Sequence, residues 1–269
     1  MAGAGFWAGS VSSSATDPVQ AALDDGPRAV RHQLDRSAPG AVELARPALD
    51  ELPWRALVHA LLARPGFRLD FNRLEPDAAV DLVCDRLLGP GTFAGERAAF
   101  AWEIASLAAF VGDLVGARAS VAIRTCFMPG DTVWHVDRVN AAAAFRLVWP
   151  LGRPAGMRVT PRANIDMQMF RAFQQREHPL LCALDTQILR TPTPVETLWA
   201  HRPAQLEAMM SGCFPFIRDP ALEREIAPGA ASIHRVETPA QPGAVHRASW
   251  ANRHAPGLQI VITAASDTP

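Results

Sequence analysis

Lysine and tyrosine are missing from this chain altogether. Their absence excludes Schiff-base catalysis by lysine and a tyrosyl acid or base. It also excludes a phosphate-binding P-loop, whose G-x-x-x-x-G-K-[ST] string needs its lysine. A carboxylate on any substrate must be met by arginine, hydroxyls or backbone N–H groups. There are only 4 cysteines (Cys84, Cys126, Cys182 and Cys213). None forms a C-x-x-C pair, so neither a zinc knuckle nor a thioredoxin-like motif is expected. No nucleophile elbow G-x-S-x-G occurs. Two strings, starting at Gly3 and Gly89, match G-x-G-x-x-A, but neither follows a strand, as dinucleotide binding requires. No apolar run approaches the roughly 18 residues of a transmembrane helix, and no basic region opens a signal peptide. A cytoplasmic location follows by default. The net charge of −1 gives no electrostatic footprint for nucleic acid or an anionic membrane.

What is present is a globular composition, 49% apolar over 269 residues. Residues 1–18, rich in Gly, Ala and Ser, read as a leader. Residues 19–118 read as a helical region. Asp50-Glu51-Leu52-Pro53 opens a helix with Trp54, Leu57, Val58, Leu61 and Leu62 at helical spacing, and further helices start near Glu75 and Gly95. From Ala119 the texture changes to short strands between Gly/Pro turns: 120–127, 133–139, 145–151, 157–160, 230–236, 244–246 and 258–263. Residues 161–226 interrupt them with two helical stretches, 164–177 and 194–211, which act either as a lid or as ordinary packing.

The chemistry concentrates in Trp134-His135-Val136-Asp137-Arg138-Val139. Read as a strand, this stretch points His135 and Asp137 to one face. An imidazole and a carboxylate are two of the three ligands of the 2-His-1-carboxylate triad that binds non-heme Fe(II) with open positions. The third is expected from a distant strand. His246, in Val245-His246-Arg247-Ala248-Ser249, is favoured over His234. Arg138 is expected either to orient Asp137 or to face solvent. Trp134 and Trp250, which flank the ligands, are expected in the core.

The ordered strings Trp134-His-Val-Asp-Arg-Val, Arg146-Leu-Val, Ile233-His-Arg-x-Glu, Val245-His-Arg-x-Ser and Ile260-Val-Ile-Thr resemble the uncharacterised bacterial family labelled DUF1826. The resemblance spans about residues 118–264. More distantly, H-x-D followed by a late histidine is similar to the Fe(II)/2-oxoglutarate oxygenases. That resemblance implies an α+β chain whose residues 119–269 form a double-stranded β-helix behind an N-terminal helical layer, with Fe(II) held by His135, Asp137 and His246. It implies a small-molecule substrate and O2, with 2-oxoglutarate as a candidate cosubstrate. Many such enzymes carry a basic residue on the strand after the distal histidine, to hold the cosubstrate's far carboxylate. Leu258 to Thr263 has none, which leaves Arg146, Arg247 and Arg253 as candidates. The expected activity is oxygenation of a small, polar, amino-acid-like metabolite. The alternatives are an O2-dependent iron oxidase that uses no 2-oxoglutarate and a non-catalytic metal-binding or sensing domain.

Overall fold

The computed structural model describes residues 26–64, 68–71, 76–125, 129–190, 197, 200, 203–254 and 257–266. The leader expected at 1–18 lies outside the described residues. Helices and antiparallel strands are mixed along the chain. In order they are α1 (Pro27–Arg36), β1 (Ala41–Leu44), α2 (Arg55–Leu62), β2 (Arg68–Phe71), α3 (Pro76–Leu88), α4 (Ala94–Asp113), β3 (Ala119–Arg124), β4 (Ala144–Leu151), β5 (Met157–Thr160), α5 (Met167–Arg190), α6 (Pro203–Ser211), β6 (Arg224–Glu225), β7 (Ala231–Arg235), β8 (Val245–Ala248) and β9 (Leu258–Ala265). Among the described residues no helix is long and apolar enough to cross a membrane.

Among the described residues nine strands form two sheets. The larger has the order β1-β7-β4-β9-β3-β2 and the smaller β6-β5-β8. The pairings between these strands are antiparallel. The region expected to be helical supplies both edges of the larger sheet, β1 beside β7 and β2 beside β3. Pro150 falls near the end of β4, where among the described residues only β9 pairs with it, a place where a strand tolerates the missing N–H.

Side chains alternate along these strands. Phe145, Leu147, Trp149 and Leu151 of β4 join Leu258, Ile260, Ile262 and Ala264 of β9 in one large core. Helices α1–α4 cover that core through residues such as Leu34, Leu57, Val83, Phe100 and Ile104. Trp54 bridges the layers, with its ring centroid 4.7 Å from Phe100 and 5.6 Å from Trp149. The other face of the same strands carries Ser120, Ala122 and Arg124, then Arg146 and Val148, then Gln259, Val261 and Thr263, and it lines a cavity of about 1330 Å³.

The interruption at 161–226 holds α5 and α6. The first was expected to stop at Glu177. It runs through Pro179 to Arg190, since an internal proline removes one backbone hydrogen bond and kinks a helix without always ending it. Of the second stretch, residues 203–211 are helical, and most of 194–202 lies outside the described residues. Phe170 and Phe173 of α5 pack with Phe214, Phe216, Trp134, Val245 and Trp250 in a second, aromatic core. That core ties the helical stretch to the H-x-D segment and to β8, while Gln174 and Glu177 of α5 border the cavity.

Candidate metal centre

The H-x-D segment follows a 3-10 turn, Pro129–Thr132. Asp131 in that turn pairs with Arg124 at 2.6 Å, and Arg124 Nε donates to Gln259 Oε1 at 2.6 Å. The strand expected at 133–139 is not a regular one. Single bridges, His135 to His246 and Arg138 to Glu237, replace a continuous ladder. Two backbone bonds join His135 and His246, at 2.9 and 3.1 Å, and Glu237 N donates to Asp137 O at 2.7 Å. The segment is therefore held at both ends, between the chain leaving β7 and the chain entering β8. Gly243 permits the approach: a Cβ there would stand 2.5 Å from Val136 Cγ1 and 2.6 Å from Glu237 N. Although the regular strand is absent, the extended backbone still turns His135 and Asp137 to the same cavity.

The distant histidine completes the group. One donor atom from each of His135, Asp137 and His246 lies within 4.8 Å of the other two. The rings of His135 and His246 lie with centroids 4.3 Å apart, their planes inclined at 58°. Each imidazole has Nδ1 against the carbonyl two residues upstream, His135 on Val133 O at 2.9 Å and His246 on Ala244 O at 3.2 Å. That contact places the proton on Nδ1 and leaves the Nε2 lone pair for a ligand, as metal-binding histidines are commonly arranged. With one carboxylate beside them, these donors fit a divalent transition metal of the iron or zinc type.

Asp137 is gripped from both sides. Oδ1 pairs with Arg146 Nη1 at 2.5 Å, while Oδ2 lies 3.4 Å from His246 Nε2 and 3.3 Å from His234 Nε2. Burial by itself would raise the Asp137 carboxyl, but the hydrogen bond from His234 and the neighbouring His246 and Arg146 outweigh it and hold it well below the usual carboxylate range. Burial, then the neighbouring His246, pushes His135 down. The same two causes push the fully buried His234 down to about 3, so its ring stays neutral.

The sequence-expected residues fall into two sets. His135, Asp137 and His246 come together, and the rival His234 stands beside them with its ring 4.3 Å from that of His246. Arg146 reaches the site but is held by Asp137, and its Nε donates to Thr263 Oγ1 at 2.9 Å. Arg247 is turned away, because adjacent residues of a strand face opposite sides. It lies 5.1 Å over the Trp134 ring and 3.6 Å from Glu223. The side chain of Arg253 lies outside the described residues. Arg138 bonds Glu237 at 3.3 Å, not Asp137. Trp134 and Trp250 pack in the aromatic core.

Three cavity residues carried no signal of their own in the sequence. Arg124 was visible only as one position of an alternating strand. Arg153 is buried against Gly257, where a Cβ would stand 2.3 Å from its Cγ. Glu177 is fully buried at the cavity wall.

No protein-family model and no curated protein matches the chain, so the DUF1826 resemblance has no support from such a match. Among solved structures, the chain is similar to dioxygenase for auxin oxidation 1 from Arabidopsis thaliana, in its complex with 2-oxoglutarate. The TM-score is 0.44 at 12% identity, covering 91% of this chain and 92% of that one. It is similar to the rice dioxygenase for auxin oxidation at TM-score 0.41 and 13% identity, over 90% of this chain and 81% of that one. A third similar structure, AviO1 from Streptomyces viridochromogenes Tue57, gives TM-score 0.30 at 13% identity over 81% and 99%. Likeness at this level assigns neither a family nor an activity.

Proposed function

We propose that this chain is a non-heme Fe(II)-dependent oxygenase whose two sheets form a double-stranded β-helix, with α1–α4 as its helical layer. The observation that carries the reading is the donor set: two imidazoles with Nδ1 engaged by backbone, one ionised carboxylate, and all three donor atoms within 4.8 Å beside a large cavity. His135, Asp137 and His246 would hold the metal. Fe(II) bound there supplies the activation of dioxygen, chemistry that no side chain offers.

The remaining roles belong to the chain. The carbonyls of Val133 and Ala244 orient the two imidazoles. The aromatic core under α5 backs the site on one side, with Trp134 and Phe173 forming part of the cavity wall. Arg124, Arg153 and Glu177 put charge of both signs on the wall, which suits a small polar metabolite of the amino-acid type. In this reading residues 119–269 form the β-helix, 161–226 cover it, and β1 and β2 from 19–118 complete its larger sheet.

A second reading uses no 2-oxoglutarate. It is favoured by the engagement of the candidate anchors, since Arg146 is paired with Asp137 and Arg247 lies over Trp134. Anaerobic addition of Fe(II), with and without 2-oxoglutarate, separates the two. A visible charge-transfer band that needs both, followed by succinate on admitting O2, marks the cosubstrate-dependent enzyme. O2 consumption with substrate but without band or succinate marks the other. A protein that takes up no Fe(II) overturns both.

A further inference from the structure

His234 is fully buried, sits within reach of the site, and has no part in the three-ligand set. It differs from the other two imidazoles in one respect. His135 and His246 have Nδ1 on a carbonyl, whereas His234 Nδ1 is buried with no hydrogen-bond partner among the described residues. Nothing therefore presets its Nε2 as a bare lone pair. If Nδ1 carried the proton, an unmet N–H would be buried and a ring lone pair would face the carboxylate. With the proton on Nε2, the ring donates to Asp137 Oδ2 and leaves only an unmet acceptor, the cheaper of the two.

Arg146 meets the other oxygen of the same carboxylate. The two residues are partners across the ladder, Arg146 of β4 opposite His234 of β7, and Thr263 of β9 stands opposite Arg146 on the other side. Three adjacent strands thus set His234, Arg146 and Thr263 in one row on the cavity face. Thr263 steadies the guanidinium at 2.9 Å. The Asp137 side chain, on a segment without a continuous ladder, rests on this row. A carboxylate has about four lone-pair sites, so two donors leave room for a cation.

Taking the metal reading of the site as its premise, we propose that Arg146 and His234 are positioning residues that clamp the two oxygens of Asp137 and set the orientation in which this carboxylate meets the metal. Arg146 then serves the ligand and not a cosubstrate, and His234 is a donor to the ligand and not a fourth ligand.

The test is the affinity of the full chain for Co2+, titrated anaerobically and read by its optical bands, together with a pulsed-EPR count of imidazoles on the Cu2+-loaded protein. His234→Ala and Arg146→Ala should each weaken Co2+ binding roughly 10- to 100-fold, the usual cost of losing such a partner. His234→Gln keeps an N–H donor and should recover most of that loss, with the imidazole count unchanged at two. Arg146→Gln, at a partly exposed side chain, keeps the test decisive if the buried His234 variants fail to fold. Unchanged affinity in the alanine variants overturns the clamp. So does a count of three that falls to two when His234 is replaced, which would make His234 a ligand. If the wild-type chain binds no Co2+, the metal reading itself fails, and the clamp with it.

Discussion

The two faces of the six-stranded sheet are built by the same strands and could hardly differ more. On β4, Phe145, Leu147, Trp149 and Leu151 enter the large core, while Arg146, Val148 and Pro150 line the cavity. On β9, Leu258, Ile260, Ile262 and Ala264 face the core, and Gln259, Val261 and Thr263 face the cavity. Burying each large apolar side chain on the dry face contributes about 1.5–3 kcal/mol. The other face sets Arg146 and His234 against the Asp137 carboxylate, with the rings of His135 and His246 brought up to them from outside this sheet, an arrangement that a sheet tolerates only when something else fixes it. The lesson is a division of labour by strand parity: the dry face sets the register, and the register sets the site.

The most severe way to break the comparison is at the ligands. Asp137→Ala and His135→Ala should each abolish Fe(II) binding and O2 consumption. The fold should persist, because the freed Arg146, 27% exposed at its side chain, can reach water. Either variant retaining full metal content would show that the ligand set is wrong. Next in size comes the dry face. Trp149 is fully buried and donates from Nε1 to Gly229 O at 2.9 Å. Trp149→Ala should lower unfolding free energy by about 3–5 kcal/mol in urea titration, while protein that remains folded binds metal with unaltered affinity. A loss below about 1 kcal/mol would mean that this face does not hold the register.

Acid should act on the cavity face first. His234 has its folded value near 3 and an ordinary value of 6.5, so between those limits the unfolded chain takes up a proton that the folded one refuses. Its contribution is fully present above pH 6.5 and declines as pH falls toward 3. Metal-free protein should lose about 2 kcal/mol between pH 6.5 and 5 by this route, followed by calorimetry. His234→Asn should flatten that slope; an unflattened slope assigns the protons elsewhere. Asp137, depressed below its ordinary 3.8, adds its share only below that pH. The mildest change is Thr263→Val, which removes the hydrogen bond to Arg146 and should cost about 1 kcal/mol. An equal cost in an Arg146→Gln background would show that the two residues are not coupled.

Much of the dry face was legible in the sequence. Leu57, Val58 and Leu61 at helical spacing marked α2, and alternation from Phe145 to Leu151 marked β4, because burial on one face writes its period into the chain. Strands β1 and β2 were not legible. Each has 4 residues and takes its identity from a distant partner, β7 or β3. The H-x-D segment misled in the opposite sense. Val133, Val136 and Val139 suggested a strand, yet their neighbours pair with it only at single positions. The spacing of His135 and Asp137 survived because an extended backbone alternates whether or not it is laddered. The contact of Arg146 with Asp137 was invisible, since it depends on the register of β4 against β7 and β9 and not on any local motif. The opposite orientations of His246 and Arg247 follow from parity alone, once β8 is known to be a strand.

The central claim is that His135, Asp137 and His246 share one Fe(II) ion. Anomalous diffraction at the iron edge, from crystals grown with Fe(II) under anaerobic conditions, addresses it directly. The account predicts one strong peak bounded by Nε2 of His135, Nε2 of His246 and the Asp137 carboxylate. A peak elsewhere, or none at that point in fully loaded crystals, would contradict it.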